Sequence, residues 1–141
     1  MDDIVIKFLR TGSLQSLVLG MTYKDVLNKI KNADSNSLKA TNTRVVWWIK
    51  DLELSFFKGK LDIINVKWKD GKSQIPLELL PPDQNGTLVT TQEELLKLLD
   101  ANNFQYERYV SECRENINCI KLESGIQVYF ENNFVQSIVM M

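Results

Sequence analysis

The chain has no histidine, two cysteines and three prolines, and its 17 basic and 18 acidic residues nearly cancel. Each scarcity excludes something. Without histidine, the commonest general base and the commonest metal ligand are both missing. Two cysteines cannot complete a structural zinc site alone. A net charge of −1 gives the whole chain no electrostatic drive toward nucleic acid. No apolar run approaches the roughly 20 residues of a membrane-spanning helix. The start, Met1-Asp2-Asp3, is acidic, and Lys7 breaks the apolar run behind it, which does not fit a secretory signal. The expectations are no metal, no cofactor, no nucleic-acid or membrane partner, and a cytoplasmic location. In that compartment Cys113 and Cys119 are read as reduced thiols, with a regulatory disulfide as the alternative. No phosphate loop, paired Cys-x-x-Cys or His-Glu-x-x-His motif occurs, and neither cysteine has a histidine to activate it. The chain therefore reads as non-enzymatic. A hydrolase built on Asp51, Glu53 or Asp62 would need two of these carboxylates to converge in a cleft.

What is present is ordinary for a globular protein: 141 residues, 44% of them hydrophobic. That length buries roughly 68% of the unfolded chain's surface, enough for one domain or two small units sharing a core. Residues 4–10 suggest a short helix ending near Thr11-Gly12. Thr22 is a good N-cap, with Asp25 three residues on, and Val26, Leu27 and Ile30 follow at helical spacing, predicting a helix over 22–33. Strand-like runs follow at 44–50, 52–58 and 61–68, the last two joined by a tight turn at Lys58-Gly59-Lys60. Residues 69–86 hold Pro76, Pro81 and Pro82 with Gly71 and Gly86, and read as a linker with an edge strand at 75–79. Thr91-Gln92-Glu93-Glu94 is a full capping box, and Leu95, Leu96, Leu98 and Leu99 carry a helix over 91–101. Strand-like runs return at 104–111, 117–123, 126–131 and 134–140, with turn signals at Ser124-Gly125 and Asn132-Asn133.

The order thus repeats. Thr22 to Leu27 lies over Thr91 to Leu96 at an offset of 69, and Phe57 with Leu61 over Phe130 with Phe134 at an offset of 73. The predicted fold class is α+β: two tandem units of one helix plus three to four antiparallel strands, with the helices on one face of the sheet. The boundaries are 1–68, a linker at 69–86, and 87–141. One helix per unit covers one sheet face, so the other is wet or meets a partner. Alternation puts Ile126, Val128 and Phe130 on the core side and Gln127, Tyr129 and Glu131 on the other. Trp47 and Trp48 must point in opposite directions. Residues 1–70 carry +4 and residues 71–141 carry −5, with Glu107, Glu112, Glu115, Glu123 and Glu131 in the second sheet or its turns. Those glutamates are either a solvated face or a surface that steers a basic protein.

The run from Leu17 to Val26, with its Leu19-Gly20-Met21-Thr22 helix start, resembles that of small bacterial proteins built from helix-plus-antiparallel-sheet units. The tandem arrangement resembles β-lactamase inhibitor protein and its relatives, and a single unit resembles the BamE-like lipoproteins. The resemblance covers most of 17–68 and, more weakly, 88–140. Similar small proteins accompany bacterial polymorphic or contact-dependent toxins as immunity proteins. Pro81-Pro82-Asp83-Gln84-Asn85-Gly86 resembles part of the SUKH immunity superfamily but lacks that family's helix between the proline and the Asn-Gly. The resemblance implies a protein-binding inhibitor that occludes a toxin's active site. On this reading Trp48, Tyr109 and Tyr129 are anchors and Glu107, Glu123 and Glu131 charged contacts. The alternative is a small-ligand-binding module whose aromatic pocket is lined by Trp47, Trp48 and Trp68.

Overall fold

The computed structural model describes residues 3–30, 37–69, 72–74, 87–89, 91–108 and 117–141. These form three helices, α1 (Asp3–Thr11), α2 (Tyr23–Lys29) and α3 (Gln92–Ala101), and ten strands. The strands of the first half are β1 (Ser37–Ala40), β2 (Arg44–Ile49), β3 (Leu52–Phe57) and β4 (Lys60–Lys67). A small hairpin follows, β5 (Lys72–Gln74) with β6 (Thr87–Val89). The second half supplies β7 (Tyr106–Arg108), β8 (Ile117–Leu122), β9 (Gln127–Glu131) and β10 (Phe134–Met140). Eight strands make one antiparallel sheet in the order β1-β2-β3-β4-β10-β9-β8-β7, and β5 and β6 pair separately. The fold is α+β and dominated by its sheet.

Alternation decides which side of the sheet is core. Trp47, Ile49, Leu52, Leu54, Phe56, Leu61, Ile64 and Val66 share one buried cluster with Ile120, Leu122, Val128, Phe130, Val135 and Ile138. Phe8 and Leu9 of α1, Val26 of α2 and Leu95 and Leu99 of α3 join the same cluster. Tyr23, the first residue of α2, packs its ring on Trp47 at 5.9 Å and edge-on against Phe56 at 5.2 Å. Leu27 and Leu96 are only partly buried, so the inward stripe of each helix is narrower than the sequence suggests.

Three local features recur in the two halves. Thr22 caps α2 through the Asp25 N–H, and Thr91 caps α3 through the Glu94 N–H, with Glu94 returning a bond to the Thr91 N–H at 3.3 Å. Both threonines bridge the strand after a hairpin, Thr22 to Lys60 and Thr91 to Phe134. Tyr23 N–H donates to Gly59 and Gln92 N–H to Asn133 at 3.3 and 2.9 Å. Both hairpins turn through two residues of positive φ, Lys58-Gly59 (51° and 81°) and Asn132-Asn133 (51° and 69°), as two-residue turns of this twist require. Both following strands carry a one-residue bulge, at Asp62 opposite Ser55 and Phe56, and at Gln136 opposite Tyr129 and Phe130.

Matching the turns pairs Phe56, not Phe57, with Phe130. Phe57 is 42% exposed while Phe56 and Phe130 are buried, because a one-residue slip moves a side chain to the opposite face. Other expectations also shift. The helix expected over 22–33 ends at Lys29, with Ile30 as its C-cap. β1 arises where a polar stretch gave no strand signal. β5 falls inside the expected linker and pairs with β6, which lies just beyond its end, and Gln74 N–H ties β5 to the β2–β3 turn by donating to the Asp51 carboxylate at 2.7 Å. The expected edge strand at 75–79 lies outside the described residues. Helix α1 precedes the first half in sequence, yet its last turn docks on the second. Ser124 Oγ donates to the Leu9 carbonyl at 2.7 Å, and Arg10 donates to the Asn102 carbonyl while stacking 4.4 Å from the Phe104 centroid.

Candidate binding face

The face away from the core cluster is organised by register. Cross-strand partners run Trp48, Glu53, Asn65, Val139, Gln127, Lys121 and Glu107 through seven consecutive strands. Directly opposed residues in a sheet project to the same side, so these side chains form one row. Tyr129 and Glu131 follow Gln127 at two-residue spacing on β9 and share its side.

In the first half, Glu53 is the hub of the row. Its carboxylate accepts from the Trp48 indole N–H at 2.6 Å and the Asn65 amide at 3.2 Å, and Lys67 Nζ lies 3.4 Å away. Trp48 is half-buried, with its ring orientation fixed by a charged acceptor. Such a bond is stronger than a neutral one and orders the side chain before any partner arrives. Beside this cluster, the Arg44 guanidinium grips Asp62 with two bonds of 2.9 and 2.8 Å and also donates to Ser55 Oγ. The bulge at Asp62 presents that carboxylate. The hydrogen bond to Asp62 raises the Arg44 pKa above its ordinary value, against a smaller opposing effect of burial and with the Asp62 charge adding to it.

In the second half, Tyr129 Oη donates to Gln127 Oε1 at 2.6 Å, and Gln127 is itself buried. Cys119, opposite Tyr129 in the register, is fully buried and disulfide-bonded. That corrects the expectation of reduced thiols, which rested on compartment rather than on structure. The chain's other cysteine, Cys113, lies outside the described residues.

Of the residues singled out from sequence, Trp48, Tyr129, Glu131 and Glu107 fall on this face. Trp48 and Tyr129 sit four strands apart, roughly 19 Å at about 4.8 Å per strand, so they do not form one contiguous aromatic patch. Glu123 lies in the β8–β9 turn, where its N–H donates to the Gln105 carbonyl at 3.3 Å. Glu107 and Glu123 line one cleft of about 280 Å³ at the sheet edge, with Gln105, Tyr106, Lys121 and Leu122. Tyr109 lies outside the described residues. Sequence reasoning missed Glu53, Asn65, Lys67 and Arg44 as parts of the face, because only the cross-strand register brings them beside Trp48. The three tryptophans do not converge. Trp47 and Trp68 belong to the core cluster while Trp48 bonds Glu53 on the other side. The cleft of about 320 Å³ that Trp68 lines contains neither of the other two among its described residues. Asp51, Glu53 and Asp62 are each engaged by different partners and do not form an acid–base pair.

Among the described residues, no three His, Cys, Asp or Glu side chains come together as a metal site. Nor is any helix among them long and apolar enough to cross a membrane. No known protein family, curated protein or solved structure matches the chain.

Proposed function

We propose that the chain is a non-enzymatic protein-binding inhibitor, an immunity protein that neutralises a bacterial toxin by seating the face around Trp48 and Tyr129 over the toxin's active site. On this reading the chain is one unit of a helix and four antiparallel strands built twice, with both helices on the core side and the accessible parts of the other face, Trp48 and Tyr129 among them, left for the partner. The shared caps, bridges, turns and bulges support the repeat. So does the central pairing of β4 with β10. Its partners Ile64↔Met140, Asn65↔Val139 and Val66↔Ile138 exchange among themselves when β4 is laid on β10 turn to turn. Asn65 and Val139 then lie on a local twofold axis, and the face is continuous across it.

The observation that carries the binding role is Trp48, an amphipathic ring pre-set by Glu53 on the face away from the core. Rigid aromatic anchors of this kind concentrate binding energy. Glu107, Glu123 and Glu131 are exposed around the second half of the sheet and steer a basic partner. The test is to screen the genes flanking this one for a domain that arrests growth, and to express that domain with and without this chain. The reading expects growth to be restored and a one-to-one complex to be recovered. Growth that stays arrested, with no complex, would overturn it.

A further inference from the structure

The two halves differ at the corner between helix, second strand and third strand. In the first half Tyr23, Trp47 and Phe56 fill it with three rings in contact. The correspondence through Thr22 with Thr91 and through the hairpin turns places Gln92, Ile120 and Phe130 at the same positions. Two rings are thus replaced by an amide and an aliphatic side chain. The space they would occupy is open, as a groove of about 300 Å³ lined by Gln92, Leu96, Ile120 and Phe130 with Tyr106, Arg108, Asn118 and Cys119. An apolar cavity of about 150 Å³ already holds a benzene molecule. The mouth is polar. Arg108 donates to Asn118 Oδ1 there, and a guanidinium has five N–H groups, so one bond leaves capacity for an incoming acceptor. We infer that the groove between α3 and strands β8 and β9 is a binding site for a free one- or two-ring aromatic molecule bearing a hydrogen-bond acceptor. The inference rests on the repeat reading, since the first half supplies the template: what the groove lacks is what Tyr23 and Trp47 supply there.

The experiment titrates the full chain with 4-methylphenol and 2-naphthol, whose hydroxyl oxygens can accept, with cyclohexanol as the non-aromatic control, following amide chemical shifts. The same titrations are run on the Gln92→Tyr/Ile120→Trp variant, which transplants the first-half residues, and its melting temperature is measured. The expected result is saturable binding of both aromatics at millimolar concentration or below, with shifts centred on Leu96, Ile120 and Phe130. The variant should bind at least about tenfold more weakly while melting no lower than wild type. Wild type that shows no saturable binding, or a folded variant that binds as well as wild type, overturns the site. So does binding of a tyrosine-containing tripeptide but not of free 4-methylphenol, which would assign the groove to a protein side chain. A variant that melts lower instead counts against the correspondence of the halves, while the wild-type titration still decides the site. If the double variant does not fold, Gln92→Tyr alone, in the first turn of α3, carries the blocking test.

Discussion

The first half of the sheet closes its helix–sheet corner with Tyr23, Trp47 and Phe56, and ties its outer face with Glu53 and with the Arg44–Asp62 pair. The second half keeps the same kinds of turn, bulge and cap but sets Gln92 and Ile120 at that corner, and on its outer face Tyr129 bonds Gln127. The backbone devices are therefore shared, and the side chains that fill the space between helix and sheet are not. Hydrogen-bonded features such as N-caps and two-residue turns depend on local backbone geometry, which tolerates few residue types. Core filling tolerates many substitutions as long as volume is conserved. Where volume is not conserved, a groove remains.

The sharpest way to break this comparison is through the helices. Leu95→Ala removes a fully buried side chain from α3 and should cost about 2–5 kcal/mol of unfolding free energy in a denaturant titration. Leu96→Ala, at the partly exposed edge of the groove, should cost clearly less. Equal costs would mean that the inward face of α3 is wrong. Next in size is the corner. Tyr23→Ala strips two aromatic contacts and should destabilise by about 2–4 kcal/mol, whereas Gln92→Ala should stay within about 0.5 kcal/mol. The caps come third. Thr91→Ala breaks a reciprocal capping box and should cost about 1 kcal/mol, and Thr22→Ala, whose cap is one-sided, somewhat less. The smallest effect is a titration. Burial, then the charge of Asp100 and its hydrogen bond, raise the Tyr106 phenol above its ordinary value of 10.0. The unfolded chain therefore ionises first, so the contribution is whole below pH 10.0 and is lost as pH rises through the folded pKa. Tyr106→Phe should flatten the alkaline fall in melting temperature.

Much of this architecture was legible in the sequence. Thr22 and Thr91 announced their helices because capping needs a side-chain acceptor at one position. Asn132-Asn133 and Lys58-Gly59 announced hairpins because positive φ favours few residues. The alternation of Ile126, Val128 and Phe130 marked the core side of β9. Pairing information was not legible. Residue type lays Phe57 on Phe130, one residue out of step with the turns, because two phenylalanines stand side by side before the first turn and composition does not say that Phe56 is the one facing the core. Short β1 has one hydrogen-bonded neighbour in the sheet and little apolar content, so no period marks it. The Glu53 hub is not legible either, since its three partners come from β2 and β4 and meet it only through register. The closure of α1 onto Ser124 joins residues 115 positions apart, a distance that local patterning does not reach.

The central claim is that the partner meets the face carrying Trp48 and Tyr129, and binding kinetics test it most directly. A growth-arresting domain found in a flanking gene would be measured against wild type, Trp48→Ala, Tyr129→Ala, the Glu107→Gln/Glu123→Gln/Glu131→Gln triple variant, and Lys24→Ala on the exposed side of α2 as control. The account predicts that each aromatic truncation weakens binding by about 30-fold, mainly through faster dissociation. It also predicts that the triple variant slows association and flattens its salt dependence, and that Lys24→Ala changes nothing. Undiminished affinity in both aromatic variants, with a loss at Lys24→Ala, would contradict it and place the interface on the helical side.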